Sequence, residues 1–566
     1  MAPPTFVGLS GRKLSNVVSA VCTTGFLLFG YDQGVMSGLI TAPAFAAMFP
    51  ATKDNSTMQG LVTAIYEIGC LFGAMSILYL GDIVGRRRAI VVAGVIMTLG
   101  VIIQVTAQAD RSPLAQLIVG RIVMGFGNGV NTSTIPTYQA ECSRTANRGL
   151  LICIEGGVIA FGTLIAYWLD FGASYGNADL VWRFPIAFQI IFALCFSIPM
   201  LYLPESPRWL LTHGRQAEAD VVIAALRGYE VDSPETALER DVIVDSIRAS
   251  GFVGQKRTPF RALFTGGKTQ HCRRMLLGAG AQWMQQIGGC NAVIYYFPIL
   301  FETSIKKSHK FSMLLGGVNM IVYSIFATVS WFLIERVGRR NLLLAGTVGQ
   351  MVSMIITFGC LIPGTPSAAK GAAVGLFTYI ASFGATWLPL PWLIPAEISP
   401  VKTRAKANAV STCTNWLFNF LIVMVTPVMI SNIGWGTYLF FAAVNAAFLP
   451  VIYFFYPETA RRSLEEIDII FAKGYSEKIS YVKAAAELPL LTPEEIEREA
   501  VKYGLVLNDS DGKPNGDATD GNMAGVLQGE RLGVHASGDF AKSEKSVTNS
   551  QNGSNLDTGF GRGSDS

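Results

Sequence analysis

Twelve apolar stretches, each long enough to cross a bilayer as a helix, dominate this 566-residue chain and leave it few ways to fold. A spanning helix needs roughly 17–25 mostly apolar residues, because every backbone N–H and C=O must find its partner inside the segment. The stretches run approximately 17–39, 58–80, 89–107, 114–134, 150–169 and 186–203, then, after a polar gap, 275–300, 313–334, 342–361, 372–394, 405–425 and 438–455. The first follows Arg12 and Lys13, is too long for a secretory signal and lacks a small-residue cleavage site, so it reads as a retained helix. Composition agrees: 15% of residues are charged and 51% hydrophobic, whereas soluble domains are about 25% charged. The fold class is therefore an all-α membrane protein.

Net charge is +4, too small for a nucleic-acid footprint, so placement of charge matters more than its sum. His213, His271, His309 and His535 all lie outside the apolar runs, which argues against a haem or histidine-bound metal in the membrane. Seven of the nine cysteines lie within those runs, where a thiol acts as a small hydrophobe, and no disulfide framework is expected. Arg86, Arg87 and Arg88 follow the second run, Arg336, Arg339 and Arg340 the eighth, and the gap 204–274 is rich in both signs. If the runs alternate, all of these lie on one side. The positive-inside rule makes that side cytoplasmic, with both termini. Lys306, Lys307 and Lys310 are exceptions on the other side, where Asn55-Ser56-Thr57 reads either as a glycosylation acceptor or as a loop held close to the membrane.

The chain repeats itself. Gly81-Asp82-Ile83-Val84-Gly85-Arg86-Arg87 returns as Ile334-Glu335-Arg336-Val337-Gly338-Arg339-Arg340, with Glu335 following Asp82 by 253 positions. Pro204-Glu205-Ser206 returns as Pro457-Glu458-Thr459 at the same offset. Glu141 and Glu397 are each followed by an arginine seven residues on, Arg148 and Arg404. Three acid/base motifs in one order predict two six-helix halves. At helix ends, such arginines can bond both a carboxylate and the last carbonyls of a helix. Asp82, Arg86, Arg87, Glu141, Arg148 and Glu205, with Glu335, Arg339, Arg340, Glu397, Arg404 and Glu458, are thus expected to form a gate that is made on closing and broken on opening.

Ionisable residues inside spans are costly and point to function. Asp32 lies mid-way along the first run and Arg121 at the start of the apolar part of the fourth. Paired, they make a minimal coupling device: a carboxylate that exchanges an arginine partner for a proton. Glu67 in the second run and Glu155 in the fifth are further candidates for a substrate or proton role, or else face the cytoplasm or cap a helix. The seventh run carries Gln285, Gln286 and Asn291, then Tyr295 and Tyr296; the tenth has Trp392 among Pro389, Pro391 and Pro395; the eleventh has Asn415, Trp416 and Asn419. Amides, hydroxyls and an indole suit a neutral polyhydroxylated ligand, or else serve as glue between helices.

The expected organisation is a short N-terminus (1–16), an N-terminal bundle (17–203), a helical linker (204–274), a C-terminal bundle (275–457), a helical segment (458–507) and a disordered tail (508–566). Helices are expected at 216–227, 236–249 and 464–471, with another starting at Pro493.

Residues 81–87, Pro204-Glu205-Ser206-Pro207-Arg208-Trp209, Gln285-Gln286 with Asn291, and Pro457-Glu458-Thr459 resemble the sugar porter family of the major facilitator superfamily, over roughly residues 15–475. The resemblance implies two pseudo-symmetric six-helix bundles around a central site, with cytoplasmic helices in the middle loop. It implies that Gln285, Gln286, Asn291, Tyr295, Trp392 and Asn415 hold substrate, and that Asp32 with Arg121 forms a proton switch. Animal glucose facilitators carry Asn at the Asp32 position, so Asp there fits symport. Residues 131–136, 289–292, 411–416 and 463–473 look closest to fungal glycerol-proton symporters. Hexose porters place a sugar-binding Gln eight residues after the loop arginine, where this chain has Gly156; Thr386-Trp387-Leu388, by contrast, resemble fungal hexose and sugar-acid porters.

The implied activity is uptake of glycerol, or a related polyol or monosaccharide, with a proton across the plasma membrane by alternating access, with no cofactor beyond the coupling proton. The alternatives are a hexose-proton symporter or facilitator and, from another class, a non-transporting nutrient sensor signalling through the C-terminal tail, where regulatory proteins would bind. No nucleophile with a base, nucleotide loop or metal cluster is present in the sequence, so an enzyme is not expected.

Overall fold

The computed structural model describes residues 3–143, 148–249, 260–303, 308–400 and 402–505. Lys306, Lys307 and the tail 508–566 lie outside these, as do the side chains of Asp82 and Arg148. The first six spans are Gly11–Leu39, Ser56–Val84, Arg86–Val105, Pro113–Cys142, Arg148–Ala173 and Ala178–Met200. Span 7 is broken into His271–Ile287 and Cys290–Thr303; spans 8 and 9 are His309–Val337 and Arg339–Leu361. Span 10 runs Pro366–Ser382, opens into a π-turn over Phe383–Trp387 and resumes as Leu390–Ile398; spans 11 and 12 are Arg404–Ile433 and Gly436–Phe455.

Ten of these helices are long and apolar enough to cross a membrane on those criteria alone. The other two are span 4, diluted by Arg121, Asn128 and Asn131, and span 7, interrupted at Gly288-Gly289. These two spans carry Arg121 and the amides Gln285, Gln286 and Asn291. Many helices extend a turn beyond their apolar windows, since hydropathy marks the hydrocarbon layer and not the helix end.

The halves meet along spans 2 and 11 and, symmetrically, along spans 5 and 8, with span 1 against the second piece of span 7. Close approach within a half rests on small residues. A Cβ at Gly69 or Gly73 would strike the backbone of span 4, and one at Gly125 or Gly129 that of span 2. These are reciprocal small-xxx-small pairs, the spacing that lets helix backbones touch in a bilayer. The contact fixes Tyr66 and Glu67 of span 2 beside Arg121 of span 4.

Asn55 caps span 2, its side-chain oxygen accepting the Met58 N–H at 3.1 Å. The linker forms helices Pro207–Thr212, Gln216–Arg227 and Pro234–Ala249. Val222, Ala225 and Leu226 join the main core, and Ser15 Oγ bonds the Leu226 carbonyl at 3.1 Å. After span 12, helices Leu464–Glu477, Tyr481–Glu487 and Pro493–Lys502 build a small core of their own from Ile469, Ile470, Ala484, Leu488, Ile496 and Tyr503. They dock through Asp468, 2.5 Å from buried Arg274, and through Tyr481 beneath Arg273.

Candidate functional site

At the charged end of the bundle, one glycine joins span 2 to span 3 and one joins span 8 to span 9. Gly85 (φ 89, ψ 161) and Gly338 (φ 95, ψ 160) occupy a backbone region that only glycine enters readily. Each opens a helix whose first N–H groups need partners. The Glu205 carboxylate accepts the N–H of Arg86 (3.1 Å), Arg87 (3.1 Å) and Ser206 (2.9 Å). Glu458 accepts those of Arg339 (2.8 Å), Arg340 (3.1 Å) and Thr459 (3.0 Å). Placed at a helix N-terminus, each carboxylate also meets the positive end of the helix dipole.

The second layer is just as paired. Arg86 lies 3.3 Å from Glu141 and donates to the Gly81 carbonyl at 2.9 Å, while Ser206 Oγ donates to Glu141 at 2.6 Å. Arg339 lies 2.8 Å from both Glu397 and Glu335 and donates to the Ile334 carbonyl at 3.2 Å, while Thr459 Oγ1 donates to Glu397 at 2.7 Å. Arg87 reaches the Leu203 carbonyl and Arg340 that of Tyr453. Arg404 bonds the Ser399 carbonyl at 3.2 Å.

Mid-membrane, the N-terminal half is ionic. Arg121 Nη1 lies 3.6 Å from Asp32 Oδ1, both side chains being fully buried. The distance is that of an ion pair without a hydrogen bond. Neither Asp32 oxygen has a well-formed hydrogen bond among the described residues; the Tyr66 hydroxyl stands beside the carboxylate as its available donor. Arg121 is held instead by the Thr63 carbonyl (3.1 Å) and the face of Tyr66 (5.2 Å). Glu67, one turn after Thr63, accepts the Tyr295 hydroxyl at 2.9 Å across the interface between halves.

The facing half is amide and aromatic. Asn415 donates to Gln282 (2.6 Å) and Gln285 (3.3 Å), Gln286 donates to Gln285 (3.3 Å), and Asn291 bonds Gln286 and Asn419 (2.6 Å to the latter). Asn415 Oδ1 and Asn419 Nδ2 remain unpartnered among the described residues. Against this chain lie Trp392 and Trp416, edge-on to Phe29 of span 1, with Phe26 also edge-on to Trp392. The arrangement offers hydrogen bonds and apolar faces without net charge.

Prolines explain where several of these polar groups go. A proline inside a helix has no N–H for the carbonyl four residues back. Pro391 frees the Trp387 carbonyl, which Gln285 Nε2 takes at 2.8 Å; Pro395 frees that of Pro391, which Gln282 Nε2 takes at 2.8 Å. Likewise Pro427 frees Val423, bonded by Tyr296 Oη at 2.7 Å, and Pro298 frees Ile294, bonded by Tyr167 Oη at 2.5 Å. In hydrocarbon no water is available to fill these gaps, so side chains must.

Residues 17–471 match the family described as sugar (and other) transporter. The chain belongs to that family. Sugar transporter STL1 of Saccharomyces cerevisiae is 46% identical over 504 residues, covering 88% of each chain. Major facilitator superfamily transporter mfsA of Aspergillus fumigatus is 43% identical over 516 residues, 89% of this chain and 95% of that one. Among solved structures, the partially occluded inward-open xylose transporter XylE from E. coli superposes with a TM-score of 0.68 at 22% identity, over 79% of this chain and 99% of that one. At that identity the likeness carries the fold alone: two six-helix bundles in the major facilitator arrangement. The protein is a multi-pass membrane transporter and not an enzyme.

The transporter also holds polar groups that the apolar pattern alone does not single out. Asp170 of span 5 is buried, with neither carboxylate oxygen hydrogen-bonded among the described residues, and lies against Gly38 of span 1. The apolar window ends at residue 169, one residue short of it. Gln189 of span 6 is likewise buried with both side-chain polar atoms unpartnered among the described residues; its isolated place in an apolar run is the only signal. Gly156 sits where span 5 meets the break in span 10: a Cβ there would lie 3.3 Å from Pro389 Cα. Trp387 turns its indole away, donating to Thr347 (3.1 Å) and the Leu343 carbonyl (3.2 Å) of span 9.

Proposed function

We propose that this transporter takes up glycerol, or a related small polyol, together with a proton across the plasma membrane by alternating access. The observation that carries the reading is the Asp32–Arg121 pair: fully buried, 3.6 Å apart, with no well-formed hydrogen bond on the carboxylate among the described residues. A carboxylate so loosely held can exchange the arginine's charge for a proton, which is what proton coupling requires of it. Asp32 and Arg121 are the proton-coupling residues. Gln285, Gln286, Asn291, Asn415 and Trp392 hold the ligand, with Tyr295 bridging to the other half.

The charged end is the cytoplasmic gate, with both termini on that side. Asp82, Arg86, Arg87, Glu141, Arg148 and Glu205 close it at the N-terminal bundle (17–203), Glu205 standing just beyond its last residue, and their counterparts Glu335, Arg339, Arg340, Glu397, Arg404 and Glu458 close it at the C-terminal bundle (275–457), Glu458 likewise just beyond. The helical stretches 204–274 and 458–507 brace the two halves, and regulatory proteins act on the tail beyond.

Two features support a small polyol over a hexose. Gly156 stands where hexose porters carry a side-chain amide, and a Cβ there would press on Pro389 Cα at 3.3 Å, so that even a small side chain would need that backbone to give by a few tenths of an ångström. The hexose-like Trp387 spends its indole N–H on span 9. The test is uptake of labelled glycerol, glucose, xylose and galactose by a transporter-deficient yeast with external pH recorded. Glycerol-dependent alkalinisation without hexose uptake is expected; hexose uptake with alkalinisation would make it a hexose-proton symporter, and uptake without alkalinisation a facilitator. Asp32→Asn is expected to abolish concentrative uptake, and intact pH-dependent accumulation in that variant would overturn the coupling assignment. Deleting residues 508–566 should leave uptake intact, whereas a nutrient sensor would lose its signal.

A further inference from the structure

The charge count at the centre of the N-terminal half does not close on Asp32 and Arg121 alone. Three fully buried ionisable groups share one place: Asp32 on span 1, Glu67 on span 2 and Arg121 on span 4. Arg121 Nη2 bonds the Thr63 carbonyl, one helical turn before Glu67, so its guanidinium lies along the same face of span 2. Arg121 and Asp32 are the two charged groups acting on Glu67, one of opposite sign and one of like sign. Among the described residues, the remaining titratable neighbours are Tyr295 and Tyr296 on span 7 and Tyr66 and Cys70 on span 2 itself. Span 11, which packs along span 2, turns only uncharged buried residues inward, among them Asn415, Trp416 and Asn419.

Two carboxyl groups against one guanidinium, out of reach of water, leave an uncompensated negative charge unless one of them carries a proton. An unpaired buried charge costs several kcal/mol, far more than binding a proton does near neutral pH. The neutral, closed cluster therefore contains one proton. Among the described residues Asp32 has no well-formed hydrogen bond, with the Tyr66 hydroxyl beside it, and Glu67 has one, from Tyr295 to Oε1, with Oε2 unpartnered. Each can bear that proton while the other faces Arg121.

We propose that Glu67 is the second carboxyl group of the proton site. It and Asp32 share one proton over Arg121, and the Tyr295 hydroxyl ties that arrangement to the contact between halves. This rests on the coupling role proposed for Asp32 and deepens it. In the occluded state one carboxylate balances Arg121 and the other is neutral. When the site opens to the cytoplasm the proton leaves, the excess negative charge is met by water, and the empty carrier cannot close until a proton returns.

The consequence is specific. Replacing Glu67 by Gln leaves Asp32 and Arg121 as a neutral pair with no proton, so the carrier should close and reorient without one. In proteoliposomes, E67Q is expected to keep exchange of labelled for unlabelled glycerol at equal concentrations on both sides. It should lose accumulation driven by a pH gradient and lose glycerol-dependent proton flux. E67D, which keeps the carboxyl group, should restore proton flux. If E67Q moves protons with glycerol as the wild type does, the proposal is wrong; and if, alongside it, D32N is uncoupled, only the role of Glu67 falls. If D32N remains coupled, the underlying assignment of Asp32 falls.

A readout on the unmodified protein covers the case in which the variants do not fold. A hydrophobic carbodiimide reacts with protonated carboxyl groups in apolar surroundings: the acid's proton passes to a carbodiimide nitrogen, the carboxyl oxygen adds to its central carbon, and the adduct rearranges to a stable N-acylurea that peptide mass spectrometry locates. Modification of Glu67, exclusive of modification of Asp32 on the same molecule, is the expected result. Glu67 remaining unmodified at every pH at which the protein transports would overturn the proposal.

Discussion

The two halves of this transporter share one pattern of hydrogen bonds at one end and are chemically opposite at the centre. At the charged end Glu205 and Glu458 cap equivalent helices, Ser206 and Thr459 bond equivalent glutamates, and Gly85 and Gly338 make the same turn. At mid-membrane the N-terminal half buries Asp32, Glu67 and Arg121, whereas the C-terminal half buries uncharged amides and indoles. Both halves must gate alike, since either one moving alone would leave the seam open. Coupling and ligand binding can be divided, and the difference in side chains marks that division.

The largest test of this division is Arg121→Ala. It strands two buried carboxyl groups without a cation, a change of the kind that costs about 3–5 kcal/mol. Loss of all proton-coupled uptake and a fall in thermal stability are expected, measured in proteoliposomes and by a melting scan in detergent. Next comes Gln285→Ala. It leaves the Trp387 carbonyl unpaired in hydrocarbon, at about 1–3 kcal/mol, and should raise the KM for substrate about tenfold or more while leaving the pH profile unchanged. If instead this variant altered the proton-to-substrate ratio, the division between halves would fail.

The likeness of the two gates is tested by Gly85→Ala and Gly338→Ala. Each forces a side chain into a glycine-only backbone region, at about 1–3 kcal/mol, and against the carboxylate that caps the next helix. Equal losses, additive in the double variant, are expected because the two sites share no partner. Smaller again, Glu205→Gln and Glu458→Gln weaken a helix cap by about 1 kcal/mol, and a marked inequality between them would show that one gate carries the closed state. The smallest effect concerns the segment after span 12. Glu495 is held below the usual carboxylate range by its bonds to the Thr492 backbone and side chain. That contribution is present above the ordinary glutamate pKa and is lost as pH falls through the lowered one. Acid-induced fraying of Pro493–Lys502 should therefore appear by hydrogen exchange, and Thr492→Ala should weaken protection at neutral pH.

Much of this architecture is legible in the chain because hydrocarbon imposes strict terms. Apolar length locates the spans, and the recurrence of Gly-Arg-Arg and Pro-Glu-Ser/Thr locates two halves. The chain also indicates Asp32, Arg121 and the amides of span 7, since ionisable and amide groups stand out in apolar runs. It does not indicate which carbonyl each amide will serve. Gln285 meets Trp387 because Pro391 removes that carbonyl's partner and because spans 7 and 10 lie side by side, and only the first half of that statement is written in the sequence. Glu67 and Tyr295, more than two hundred residues apart, meet for the same reason. Asp170 stays hidden because a charge at the end of an apolar run reads as the start of a loop, whereas the helix continues to Ala173.

The carbonyls left open by proline also bear on how fast such a carrier can turn over. Tyr167, on one half, closes the Ile294 carbonyl on the other, so separating the halves there exposes a backbone group to lipid or to a narrow water file. An unpaired peptide group in an apolar medium costs several kcal/mol. The other three proline-freed carbonyls are closed within the C-terminal half, so this one plug acts as the friction point in the rocking motion. Turnover should be governed by whether water reaches the Ile294 carbonyl as Tyr167 withdraws, which would give the transport cycle a steep dependence on temperature.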